Sequence, residues 1–365
     1  MRKRIRLAAA LLCVLSLCAC AAEFVPVPMP APEHSEPVTV IPEQPAPAPE
    51  PEPEPIPEPE PEPDRFAALS IPKEADAARY TEQVRETMLA QDMDYRTVEA
   101  LFEAGYTFEE MVQLPREQRQ VTSFLQRYGS FEGTARELLE DLARREGYIM
   151  ETHGDLVQKI QYGTSVQGRS LDAYSLCAVS QPRRTVMLTF ALHGYEGGSR
   201  SDSAYLTDSA YLMMQFYAEN PEFLGDVRLV LCPMVNPDGA WAGEGADYGR
   251  EQADGIDLNR DFGADGFRTA ESTALRDLMA QVKPDILIDI HGWLNATYGD
   301  TELARIFDRY TGLYHWSKGY GASKGYLIGY ANGLGIQSLL VEHAGAADMK
   351  HSGVLYALNR IFELD

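Results

Sequence analysis

After Ser130 the chain alternates between short, almost wholly apolar segments and longer amphipathic segments. We predict strands at 171–179, 185–192, 227–235, 286–290 and 337–341. We predict helices at 133–145, 201–218, 270–282 and 301–310. Near-continuous apolar strands separated by helices indicate a parallel arrangement with both faces buried. The expected fold class is therefore α/β, with a mixed, mostly parallel central sheet covered by helices on both faces.

The first 20 residues predict export. Four basic side chains lie within the first six residues, and the apolar run that follows, 7–17, is too short to span a bilayer. The run ends in Leu17-Cys18-Ala19-Cys20, which resembles a bacterial lipobox. We expect Cys20 to be lipidated and the protein to sit on the outer face of the cytoplasmic membrane. The alternative is an ordinary cleaved signal peptide, which would give a periplasmic or secreted protein.

Residues 21–66 are predicted to be a disordered linker rich in Pro and Glu. The stretch 21–64 holds 16 of the 23 prolines and eleven acidic residues, with no Lys or Arg. Proline fixes φ and the glutamates repel one another, so an extended polyproline II spacer of up to ~130 Å is expected. A ligand for an SH3-type domain is the competing interpretation. A tether that holds a folded domain away from the membrane fits an exported protein better.

A small helical region is predicted at 67–130, with helices at 75–91, 95–104, 107–113 and 116–128. Asp94 and Thr107 are candidate N-caps. No residues in this region suggest chemistry, so a packing or spacer role is favoured over a role in binding the cell wall.

The net charge and the small number of cysteines exclude some classes of protein. The formal net charge of −23 argues against nucleic acid as a partner, because phosphate binding needs a basic surface. Beyond the leader only Cys177 and Cys232 remain. We interpret each as a small buried strand residue and not as half of a disulfide. The folded part is expected to be a monomer.

Two predicted strands end in residues that suit a metal site. The strand at 185–192 runs into His193 and, three residues later, Glu196, while the strand at 286–290 runs into His291. We expect these side chains to meet, because ligands in such folds lie at the carboxyl ends of strands. Two histidines and one glutamate, with a fourth position open for water, are typical of catalytic zinc sites. A lone histidine at a strand end is more often structural, so the neighbouring motifs matter.

Those motifs form an ordered series. They are Gly163-Thr164-Ser165-Val166-Gln167-Gly168-Arg169, Asn236-Pro237-Asp238-Gly239, Arg250, Gly255-Ile256-Asp257-Leu258-Asn259-Arg260, and Glu342 in the last strand. Their order and spacing resemble the zinc carboxypeptidase family. The resemblance covers residues 131–365, and the short domain is most similar to bacterial murein peptide amidase A and γ-D-glutamyl-meso-diaminopimelate peptidases.

The resemblance implies the chemistry of the site. It implies one zinc ion per chain bound by His193, Glu196 and His291, with Glu342 as the general base. Arg250 would face the developing oxyanion, with a surface salt bridge as the alternative interpretation.

The resemblance also implies how the substrate binds. Asn259 and Arg260 would hold its terminal carboxylate, and Asp257 would orient the first zinc-binding histidine. Tyr320 matches a loop tyrosine that closes over the substrate, although Tyr326 and Tyr330 are nearby alternatives. Leu327 would shape the pocket for the C-terminal side chain.

Two positions depart from the family pattern. Tyr195 stands where other members have Arg, Asp or Asn, which leaves contacts on the amino side of the cut open. His343 follows the general base where the family has an apolar residue or Thr, and it could tune the base or face solvent.

The expected function is therefore that of an exported zinc metallocarboxypeptidase. It would hydrolyse an amide next to a free C-terminal carboxylate, with cell-wall stem peptides as the expected substrates. The alternatives are a general peptide carboxypeptidase, a metal-dependent deacylase and a non-catalytic wall-binding lipoprotein.

Overall fold

The computed structural model describes residues 64–129, 131, 133–195, 202–242, 249–263, 265–316, 325–345, 347 and 349–364. The predicted leader with Cys20 and nearly all of the predicted linker lie outside the described residues. Within these ranges no helix is both long enough and apolar enough to cross a membrane.

Helices and strands alternate through most of the described chain. The helices are α1 (Glu82–Ala90), α2 (Tyr95–Glu103), α3 (Phe108–Gln113), α4 (Arg116–Tyr128), α5 (Ala135–His153), α6 (Asp202–Glu219), α7 (Pro237–Ala240), α8 (Ala270–Val282), α9 (Thr301–Thr311), α10 (Leu327–Gly333) and α11 (His351–Phe362). The strands are β1 (Val157–Thr164), β2 (Ser170–Cys177), β3 (Arg184–Phe190), β4 (Val227–Cys232), β5 (Ile286–Gly292), β6 (Ala296–Gly299), β7 (Tyr314–His315) and β8 (Gln337–His343).

The described strands form one sheet in the order β1-β2-β4-β3-β5-β8-β6-β7. Its centre, β4-β3-β5-β8, is parallel throughout. Antiparallel pairs join β1 to β2, β2 to β4, and β6 to β8. Buried side chains cover both faces of the central strands, so two apolar clusters sandwich the sheet. The predicted α/β fold with a mixed, mostly parallel sheet is confirmed.

The predicted and observed elements differ mainly outside the central strands of the sheet. The sequence analysis did not include β1, β6, β7, α10 or α11, and α5 extends to His153, beyond the predicted end at 145. The strands β6 and β7 have four and two residues, too few for a periodic pattern to be visible. The predicted helix at 75–91 is shorter, because regular helix starts at Glu82 after the N-cap Thr81.

The N-terminal helices have their own small core. Met88, Val98, Leu101 and Met111 are buried there. Asp94 and Thr107 are N-caps, since the Asp94 side chain accepts from Thr97 N and Thr107 forms a capping box with Glu110. These contacts satisfy backbone N–H groups at the helix starts.

Helix α4 joins the helical region to the sheet domain. Val121 and Phe124 belong to the large core on one face of the sheet, and Phe124 packs edge-on against Phe216 at 5.3 Å. Arg360 and Asn359 of α11 both bond to Glu117. This helix is therefore packed into the domain that carries the site.

Cys177 and Cys232 are both free. Cys232 is buried as predicted, whereas Cys177 is partly exposed, so the prediction of a buried residue is wrong for Cys177. In the antiparallel register Cys177 is opposite Arg228, four residues from Cys232, which places the two cysteines about 13 Å apart along the strands.

Candidate active site

The two strand-end histidines meet at the carboxyl edge of the sheet. The ring centroids of His193 and His291 are 5.1 Å apart with an interplanar angle of 73°. Both side chains are buried. His193 follows β3 and His291 lies in β5, and these strands are parallel neighbours, so the topology itself brings the rings together.

An aspartate contacts each imidazole at the same ring atom. His193 Nε2 lies 3.0 Å from Asp257 Oδ1, and His291 Nε2 lies 2.9 Å from Asp289 Oδ2. Thr189 in turn donates to Asp289 Oδ1 at 2.7 Å. A neutral imidazole that donates from Nε2 has its acceptor lone pair on Nδ1. The carboxylates therefore select the tautomer in which Nδ1 can bind a metal.

The predicted base lies beside the second histidine. In the parallel register of β5 and β8, His291 is the direct partner of Glu342. Partnered residues on adjacent strands are about 4.8 Å apart and point to the same face. Glu342 is 7% exposed, so its carboxyl group is mostly removed from bulk water.

The residues present fit a zinc ion in their chemistry. Two buried imidazoles anchored by carboxylates are a donor set that zinc accepts. Among the described residues no group of three or more His, Cys, Asp or Glu is arranged to hold a metal. The third predicted ligand, Glu196, lies outside the described residues.

Arg250 lies next to the first histidine through Asp257. Its Nη1 donates to Asp257 Oδ2 at 2.7 Å, while the other carboxylate oxygen contacts His193. Burial disfavours the charged form of Asp257, but the contacts with His193 and Arg250 outweigh it and hold its pKa well below the ordinary value. Asp257 is therefore ionised at neutral pH and links His193 to the guanidinium.

Close backbone contacts at Gly194 keep this region compact. A Cβ on Gly194 would lie 1.8 Å from Gly249 O and 2.3 Å from Gly239 C. The Gly194 amide donates to Arg250 O at 3.3 Å. Only glycine permits three chain segments to meet this closely next to His193.

Asn259 lies beside the other predicted substrate residues. Its Oδ1 accepts from Leu327 N at 3.0 Å, which leaves the donor end of the amide, Nδ2, as the end suited to a carboxylate. The Arg260 guanidinium carbon lies 4.2 Å from the centre of the Tyr326 ring. Leu327 is fully buried, whereas Tyr320 lies outside the described residues.

The motif at 163–169 is a hairpin loop tied to Asp238. Asp238 is buried and accepts from Ser165 Oγ at 2.8 Å, Gln167 N at 2.8 Å and Arg169 Nη1 at 2.6 Å. Glu271 accepts from the amide of Val166 at 3.1 Å. Asp238 and Glu271 therefore fix the position of the loop. The contacts described for these two residues do not involve His193 or His291.

His343 is buried at 4% exposure, so the expectation that it could face solvent is wrong. It directly follows Glu342 in β8, so its side chain points to the opposite face of the sheet. Burial, followed by the nearby His351, lowers the pKa of His343 to about 4.

We expect His343 to make folding pH-dependent. Its folded pKa of about 4 lies below the ordinary 6.5, so between these values the unfolded chain binds a proton that the folded chain does not. The contribution of the neutral His343 ring to the free energy of unfolding is fully present above pH 6.5 and is lost as the pH falls toward 4. In urea unfolding, wild type should lose about 2–3 kcal/mol more than His343→Leu across this window. Identical pH profiles for the two proteins would contradict the prediction.

Asp289 is the residue at the site that the sequence analysis missed. It lies two residues before His291 inside an otherwise apolar strand and is fully buried. A charged residue in a buried strand is rare unless it has a partner. The aspartate in a buried strand was the signal that could have identified this contact. Side chains alternate along β5, so positions 289 and 291 lie on the same face.

Comparisons with known proteins agree with this geometry. Residues 147–302 match the zinc carboxypeptidase family. The chain is 30% identical over 219 residues to bacteriocin BCN5 of Clostridium perfringens, covering 54% of this chain and 24% of that protein. It is 30% identical over 125 residues to the inactive metallocarboxypeptidase ecm14 of Talaromyces marneffei, covering 29% of this chain and 20% of that protein. The chain thus spans about a quarter or less of the length of these curated relatives.

A solved structure shows the same fold. Bovine thrombin-activatable fibrinolysis inhibitor, in complex with tick carboxypeptidase inhibitor, superposes with a TM-score of 0.50 at 15% identity. The superposition covers 65% of this chain and 97% of that chain. The matched segment 147–302, the shared fold and the paired strand-end histidines together indicate a zinc carboxypeptidase-type domain, as the sequence motifs predicted.

Proposed function

We propose that this protein is an exported zinc metallocarboxypeptidase that cleaves an amide next to a free carboxylate, with cell-wall stem peptides as its substrates. The observation that carries the proposal is the row formed by β3, β5 and β8. It places His193 5.1 Å from His291 and makes Glu342 the cross-strand partner of His291. Two metal-type ligands and a carboxylate thereby share one edge of the sheet.

In this proposal His193, Glu196 and His291 hold the zinc ion. Zinc, when bound, would supply a Lewis acid for the scissile carbonyl and would lower the pKa of water at the site to about 7. Glu342 accepts the proton of the attacking water and passes it to the leaving amine. Arg250, fixed by Asp257, provides positive charge for the developing oxyanion, where a low dielectric strengthens the interaction.

Asn259 and Arg260, named here the carboxylate clamp, select a free C-terminus in this proposal. A guanidinium presents two parallel donors that match the two oxygens of a carboxylate. The Asn259 amide adds a donor from the adjacent residue, because Leu327 N engages its Oδ1. Tyr320 would close over the bound substrate, which would exclude water from the site.

The cell-wall substrate and the export are supported by sequence features alone. The short domain is similar to murein-type members, and the cationic leader with Cys20 and the Pro and Glu linker suits a lipid-anchored protein that reaches into a wall. To test the substrate, the purified protein is given stem peptides containing D-Glu and, separately, L-peptides ending in Leu or Phe. Mass spectrometry of the products should show cleavage of the stem peptides; cleavage of the L-peptides alone would favour a general carboxypeptidase.

A non-catalytic role is the second candidate, because one relative is described as an inactive metallocarboxypeptidase. Such a protein would bind wall peptides without cleaving them. Glu342 and the paired histidines are all present here, which favours the enzyme. The same peptide digest distinguishes the two candidate functions. A binding protein would leave every peptide intact, even when zinc analysis gives one metal per chain.

Amidation of the substrate C-terminus is expected to lower kcat/KM by about 10²-fold. An amide cannot form the charge-assisted pair of hydrogen bonds with the guanidinium of Arg260, and loss of a hydrogen bond between charged groups costs roughly 1.5–3 kcal/mol. The Arg260→Ala variant should cleave free-acid and amidated peptides with nearly equal kcat/KM. Equal cleavage of both peptides by wild type would show that the clamp is elsewhere, and the deacylase alternative, or an enzyme that cuts within peptides, would then be favoured.

A further inference from the structure

The guanidinium of Arg260 is stacked on an aromatic ring that has no role in the proposed chemistry. Its central carbon lies 4.2 Å from the centroid of the Tyr326 ring. At this distance the positive charge is attracted to the negative face of the ring. Arg260 is an exposed residue whose Nη1 also donates to Asn259 O at 2.8 Å, and the ring is a second contact that limits the rotamers of its long side chain.

The backbone around Tyr326 is fixed to the segment that carries Arg260. Phe262 N donates to Gly325 O at 3.0 Å on one side, and Leu327 N donates to Asn259 Oδ1 at 3.0 Å on the other. Tyr326 lies between these two bonds. Its backbone is therefore fixed relative to the carboxylate clamp, and its ring packs against the apolar cluster on that face of the sheet.

Gly325 permits this close approach. Its φ of +98° is a left-handed conformation, and a Cβ there would lie 2.7 Å from Arg260 O. Both the backbone conformation and the space require glycine. Gly325 thus allows the next residue, Tyr326, to contact Arg260.

Stacking and carboxylate binding use different parts of the guanidinium. The ring takes the flat face, whereas a carboxylate binds the N–H groups along the edge. Both contacts can exist at once. A guanidinium already held in plane loses less rotamer freedom when the substrate binds.

We propose that Tyr326 is a positioning residue that holds the Arg260 guanidinium ready for the terminal carboxylate of the substrate. This inference rests on the proposed function, and it adds a residue that sets how strongly a free carboxylate is preferred. The face of the ring performs this role, not the hydroxyl group. The Tyr326 ring therefore affects substrate binding and does not affect the chemical step.

The test compares a stem tripeptide with the same peptide amidated at its C-terminus, using the full zinc-loaded protein. Tyr326→Leu should raise KM for the free acid about five- to tenfold, change kcat less than twofold, and leave kcat/KM for the amide unchanged. Tyr326→Phe, which keeps the ring, should behave as wild type. In a Glu342→Gln background, calorimetry should show the same five- to tenfold loss of affinity for the free acid.

Tyr330→Leu is the matched control, because Tyr330 lies one helical turn away and packs against Phe267 at 5.1 Å. It should leave the preference for the free acid unchanged. If Tyr326→Leu does not fold, Tyr326→Met removes the ring from the same position and is expected to give the same loss.

Two results would overturn the inference alone. One is an unchanged preference in Tyr326→Leu when Arg260→Ala has lost it. The other is an equal loss in Tyr326→Phe, which would assign the effect to the hydroxyl group. If wild type shows no preference for the free acid, the proposed function fails and this inference with it, so that comparison is measured first.

Discussion

Replacing His291 by Ala is expected to give a protein that retains no zinc and hydrolyses no peptide. The ring of His291 is buried 5.1 Å from that of His193, and Asp289 orients it through Nε2. Its removal would leave at most two protein ligands, too few to retain zinc at ordinary free-metal concentrations. Metal analysis after dialysis, together with a peptide digest, measures both effects.

The matched control for that variant is His153→Ala, at the end of α5, which should keep one zinc per chain and full activity. Retention of stoichiometric zinc by the His291→Ala protein would show that the ligand set is different. Asp289→Asn provides an intermediate case, because it keeps the shape but weakens the contact that fixes the tautomer. About 10-fold to 100-fold weaker zinc binding is expected for it.

Glu342→Gln is expected to retain zinc and substrate binding while kcat falls by about 10²-fold or more. Glutamine preserves the size of the side chain but cannot accept the proton of the attacking water. The position of Glu342, partnered with His291 across β5 and β8, makes it a direct cross-strand neighbour of the histidine pair. Single-turnover kinetics on a stem peptide and calorimetry of binding separate the loss of chemistry from any loss of affinity.

Glu271→Gln is the comparison for this prediction. Glu271 is a buried carboxyl group at the start of α8 whose pKa is raised by burial, and it bonds to the loop amide of Val166. Its substitution should lower stability and leave kcat within a few-fold of wild type. A kcat for Glu342→Gln close to wild type, with a large loss in Glu271→Gln, would transfer the role of base to Glu271.

The proposals for substrate selection depend on one small region. The segment that carries the carboxylate clamp is joined to Gly325, Tyr326 and Leu327 by one backbone–backbone hydrogen bond, one backbone–side-chain hydrogen bond and one cation–π contact. The segment that precedes Gly325 carries Tyr320 and lies outside the described residues. Amidated substrates and Tyr326 variants therefore examine the side of the site that the structure describes.

Local sequence was sufficient for the centre of the fold. Long apolar runs predicted the strands that became β3, β4, β5 and β8, because burial on both faces leaves a pattern that is visible in a single segment. The same runs placed His193, His291 and Glu342 at strand ends. Since parallel strands share one carboxyl edge, their meeting there followed from the pattern.

Tertiary structure alone decided how those side chains are supported. The pairing of His193 with Asp257, and of Arg260 with Tyr326, joins residues 64 and 66 positions apart. Such pairs depend on loop paths that no local periodicity encodes. The partnership of Asp289 with His291 is close in sequence, yet its meaning depends on burial of both residues in the middle of the sheet. The sequence by itself determined the fold class and the meeting of His193, His291 and Glu342 at one edge of the sheet, because both follow from local pattern. The contacts that orient these side chains were decided by long-range packing.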